Sequence, residues 1–130
     1  METTELEREI YNALTTNEKL TGKLPQLRSG NFPVYHIVAP ARREDRYPII
    51  IYSPISDVPA LYSDDTETYH KVTIRISIIT LNGEYSELNK IIRQIMTEQL
   101  EFERVQTVPE YDFEHEKFIL QADYIKIIPA

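Results

Sequence analysis

Between Tyr69 and Thr80 the chain reads YHKVTIRISIIT, with Val72, Ile74, Ile76 and Ile78 at every second position and Lys71, Thr73, Arg75 and Ser77 between them. That period is a β-strand with one apolar and one polar face. A different period follows Asn82-Gly83. Leu88, Ile91, Ile92, Ile95, Met96 and Leu100 step by three, one and four residues, which predicts an amphipathic helix over the stretch YSELNKIIRQIMTEQL. Glu84 and Glu87 stand near its N-terminal end, where the helix dipole favours carboxylates. Leu6, Ile10, Ala13 and Leu14 predict an earlier helix from about Thr4 to Asn17, opened by the capping-box pattern Thr4-x-x-Glu7.

The rest of the chain fills in around these elements. PVYHIVA and YPIIIYSPI read as strands, the second with Pro48 and Pro54 marking a strand start, an edge or a bulge. Gly22–Pro33 reads as a loop and Pro40–Arg46 as a charged turn. Ser56–Thr68 reads as a long polar connection, carrying Asp57, Asp64, Asp65 and Glu67 without a balancing cation. FERVQTV and KFILQADYIKII predict two closing strands joined through Pro109–Glu116. The order helix, three strands, helix, two strands, with short connections, predicts one α+β domain over residues 1–130. It is a mainly antiparallel sheet with both helices packed on one face.

Composition narrows the function classes. The chain has 130 residues, 42% hydrophobic and 27% charged, an ordinary globular balance for one domain with a real core. It has no cysteine, so disulfides, thiolate zinc sites and a cysteine nucleophile are excluded, in keeping with a reducing cytoplasm. A net charge of -7 argues against direct wrapping of nucleic-acid phosphates. The polar, acidic start METTELERE is unlike a signal peptide, and no apolar run is long enough to span a membrane.

Candidate chemistry is sparse. His36, His70 and His115 have no metal-motif spacing, although strand positions allow His36 and His70 to face each other across the sheet. Asp64-Asp65-Thr66-Glu67 has carboxylates for a divalent cation but lacks the central glycine of a calcium loop, and reads as a solvated or interface loop. With three glycines there is no phosphate loop, dinucleotide fingerprint or nucleophile elbow. We therefore expect no catalytic, cofactor or metal residues. The rival from another class is a small metal-dependent hydrolase using Asp64, Asp65, Glu67 and a histidine. The nine tyrosines fit contact surfaces or the rim of the core.

The layout as a whole resembles the phage tail completion family, the tail terminator or tail-to-head joining proteins. The stretches that carry the resemblance are LEREIYNALTTNEKL, RYPIIIYSPIS, DDTETYHKVTIRISIIT, YSELNKIIRQIMTEQL and FILQADYIKII. The resemblance implies a structural virion protein located at the head–tail interface, with the host cytoplasm as its place of assembly. It implies a homohexameric ring that caps the tail tube, stops its polymerisation and joins the head connector. Its partners would be the tail tube protein and the connector or stopper protein, with DNA passing through the ring without specific binding. A neighbouring neck or head-completion connector protein would share the same size and ring habit. On this reading Lys71, Thr73 and Arg75 face a neighbouring subunit or the lumen, with Asp64, Asp65 and Glu67 as the candidate complement.

Overall fold

The computed structural model describes residues 2–39 and 46–130. The elements are α1 (Thr3–Thr16), α2 (Glu18–Thr21), β1 (Val34–His36), β2 (Ile49–Ser63), β3 (Thr66–Thr80), α3 (Ser86–Gln94), β4 (Glu103–Asp112) and β5 (Lys117–Pro129). They form an α+β domain whose five strands lie in the order β1-β2-β3-β5-β4. Every adjacent pair is antiparallel except β1 with β2. That parallel pair was not expected from the short connections. It uses the crossover between positions 37 and 48, about the dozen residues such a connection needs. Of the charged turn expected over Pro40–Arg46, all but Arg46 lies outside the described residues.

The alternation in β3 does what the pattern demands. Val72, Ile74, Ile76 and Ile78 point inward, beside Ile50 and Tyr52 of β2 and Leu120, Ala122 and Tyr124 of β5. Leu6, Ile10 and Leu14 of α1 and Leu88 and Ile92 of α3 close over them in one core, so both long helices cover the same face. After Gln94 the helix loosens into a π-helical turn, Ile95–Gln99, which keeps Ile95 and Met96 in the core. Lys126 Nζ donates to the Leu100 carbonyl at 2.7 Å and caps that end.

Two expectations fail locally. Thr4 is not a cap: the N-cap is Glu2 and makes no side-chain cap bond. Glu7 pairs instead with His36 Nε2, so the oxygen meant for the capping box is spent on β1. The larger correction concerns Ser56–Thr68, which is not a loop. β2 continues to Ser63 and β3 begins at Thr66, so this stretch is the outer half of a long antiparallel hairpin. Its turn is Asp64-Asp65, both at positive φ (51° and 63°), the backbone of a type I′ turn whose twist matches the strands it joins.

Candidate interaction surface

The helices leave the other face of the sheet bare. On β3 that face carries Tyr69, Lys71, Thr73, Arg75, Ser77 and Ile79, the polar set of the alternation. Its centre is a closed charge cluster. Arg75 Nε and Nη2 donate to Oδ1 and Oδ2 of Asp123 at 2.8 and 3.1 Å, and Gln106 Nε2 donates to Oδ2 at 2.9 Å. β5 and β4 supply these partners because Arg75 stands opposite Asp123, and Asp123 opposite Gln106. Under this cover the Asp123 side chain is only 4% exposed. The Arg75 hydrogen bond holds its carboxyl below the usual carboxylate range, and the same bond raises the Arg75 guanidinium.

Lys71 is placed differently. It is exposed between Val58 of β2 and Ile127 of β5. Its ammonium enters no hydrogen bond or ion pair among the described residues. Around it lies the apolar end of the bare face. Val58, Leu61, Tyr69 and Ile127 are 41%, 55%, 42% and 58% exposed and stand on three neighbouring strands. Thr73, partly buried, sits one row further in between Ser56 and Ile125.

The six residues singled out from sequence therefore divide. Lys71, Thr73 and Arg75 share one face, as expected. Asp64 and Asp65 cap the hairpin tip, and Glu67, beyond an irregular register at Leu61–Tyr62, stands four residues before Lys71, about 13 Å away along the strand. The segment before β3 folds back on it as the hairpin, yet this does not bring the tip carboxylates to the cations, and Arg75 is already taken by Asp123.

The histidines do not meet either. His36 lies beside Glu7 and stacks on Tyr52 with ring centroids 5.2 Å apart. His70 Nδ1 lies 2.5 Å from Asp57 Oδ1, while Thr3 Oγ1 donates to the other Asp57 oxygen at 2.7 Å. Those two bonds, His70 first, lower the Asp57 pKa and tie the hairpin to the first turn of α1. His115 Nδ1 is 2.9 Å from Asp112. Among the described residues no group of three histidines or carboxylates is placed to hold a metal ion, and no helix is long and apolar enough to cross a membrane. A cleft of about 680 Å³ opens beside the start of α3, and the Lys23–Glu87 ion pair at its wall closes at 2.6 Å.

Sequence patterning could not find the Asp123 cluster, because its members lie on three strands. Nor could it find the aromatic group at the β4–β5 turn. There Tyr111 packs edge-on against both Phe113 and Phe118, each at 4.8 Å between centroids. The only signal was a phenylalanine inside an otherwise charged turn, Asp112–Lys117. Compared with known proteins, the chain matches no protein-family model and no curated sequence.

Proposed function

We propose that this chain is a structural phage protein that caps the tail tube as a ring, ends its polymerisation and joins it to the head connector. The observation that carries the proposal is the bare sheet face with its contiguous exposed hydrophobic end. An apolar patch of this kind marks a surface made for a protein partner. The five stretches that resemble the tail completion family supply the kind of partner: a further copy, the tube below and the connector above. A net charge of -7 suits a passage that DNA must traverse without sticking. In a cyclic ring each joint unites two different patches of the same chain.

The test is tail assembly in extracts with and without the protein, viewed by electron microscopy. Without it, tails should grow past their normal length and stay headless, and purified protein should restore both. Normal tails joined to heads in its absence would overturn the proposal. Headless tails of normal length would move the protein to a neighbouring neck position.

A further inference from the structure

At the end of the sheet away from the β2–β3 turn, the β4–β5 turn projects Phe113, 85% exposed and the most exposed large hydrophobic residue described. It is held out by edge contact with Tyr111, which pairs with Phe118 on the helix side of the sheet. The polar groups around it are sorted by charge. Asp112 accepts from the Glu114 and His115 backbone N–H groups and holds the His115 ring. Lys117 folds back to the His115 carbonyl at 2.8 Å and over the Tyr47 ring at 5.3 Å. The carboxylates of Glu114 and Glu116 enter no ion pair among the described residues. The tip is thus an apolar knob with two negative charges beside it, Glu114 acting on His115 only through space and without a hydrogen bond.

The apolar end of the bare face is its counterpart in both respects. Val58, Leu61, Tyr69 and Ile127 form the apolar floor, and the unengaged cation Lys71 stands among them. The two features cannot meet within one molecule. Ten residues of β5, from Lys117 to Ile127, separate them by about 34 Å, and they lie on opposite faces of the sheet.

We infer that the Phe113 knob of one copy seats in the Val58–Leu61–Tyr69–Ile127 patch of the next, with Glu114 or Glu116 against Lys71. The joint is heterologous: each copy offers a knob at one end and a patch at the other, so copies overlap like shingles and close into a ring or run on as a filament according to the angle between them. The inference deepens the assembly reading above by naming the joint, and rests on it only for what the assembled form does.

Because the chain has no cysteine, the joint can be tested by disulfide trapping. One variant carries Lys71→Cys and another carries Glu114→Cys, so the bond forms where the ion pair would. Under mild oxidation a mixture of the two should yield covalent dimer at least about tenfold above either variant alone, because seating raises the local thiol concentration. A chain carrying both changes should give a ladder of oligomers. Adding Phe113→Asp to the Glu114→Cys chain should remove the excess while circular dichroism stays unchanged. A mixture no better than the separate variants, or an excess that survives Phe113→Asp, would overturn the joint. Lost trapping with normal capping of tails would remove the joint and leave the tail reading. Trapped oligomers that cap no tails would do the reverse.

Discussion

Removing the guanidinium of Arg75 takes from Asp123 both its cation and part of its cover. Arg75→Ala leaves Asp123 with Gln106 and newly admitted water, and losing the charged hydrogen bonds should cost about 1–3 kcal/mol. The pH dependence has a definite sign. The folded carboxyl is held below its ordinary value, so its contribution is complete above about pH 4 and is lost as pH falls toward the folded pKa. The gap between wild type and Arg75→Ala in urea unfolding should therefore be largest near pH 7 and shrink below pH 4. A gap independent of pH would mean that the cost is packing, not charge. Lys71→Glu should change stability by less than about 0.5 kcal/mol, because Lys71 is solvated and holds no partner. In the sequence these two cations look alike, four residues apart on one polar face. What separates them is Asp123, which arrives 48 positions after Arg75, and no local pattern carries that distance.

At the level of single elements, α3 is the most legible and the β2–β3 hairpin the least. The helix announces itself because six apolar residues must share one side, and the structure places Ile95 at 3% exposure on that side. Ile95→Ala should cost about 2–5 kcal/mol in denaturant unfolding, and a loss below about 0.5 kcal/mol would mean that the π-helical turn yields to fill the cavity. The hairpin hid its nature for a physical reason. Beyond Ser56 it extends toward solvent, so no buried face enforces alternation, and Pro59 and irregular registers near Leu61 break what pattern there is. Its turn also lacks the usual glycine. Asp64 and Asp65 hold left-handed backbone at a cost that Asp65→Gly should relieve, raising stability by up to about 1 kcal/mol in thermal unfolding. The ladder also fixes an expectation for exchange: amides of Lys71–Thr73, flanked by β2 and β5, should be protected in the isolated subunit, more than those of the Leu27–Asn31 turn. Fast exchange along the hairpin would show that it orders only on assembly.

For the molecule as a whole, the sheet resists growth at its edges and is open on one face. β1 is only three residues long and pairs Ile50–Tyr52 alone, so the rest of β2 is also an edge, interrupted by Pro54, Pro59 and irregular register. β4 carries Glu103, Arg104, Glu110, Pro109 and an irregular register between Arg104 and Gln106, all of which discourage another strand from adding there. Association is thereby steered to the bare face and the two turn ends, and whatever assembles at working concentrations should lack the cross-β diffraction spacing of a fibre grown by strand addition. The fold class, two helices over a mainly antiparallel sheet, could be read from periodicity because each long element keeps one side out of water. Strand order could not, since β5 is last in the sequence yet lies between β3 and β4. That placement bears on how the protein is made. A nascent chain that has left the ribosome only as far as Asp112 holds β4 with no neighbour and β3 with one flank open. Leu120, Ala122 and Tyr124, which fill the middle of the core, are still in the exit tunnel. The core must then wait for β5, and ribosome-bound chains stalled with Asp112 just outside the tunnel should be cut quickly by protease, while chains with β5 outside it should resist.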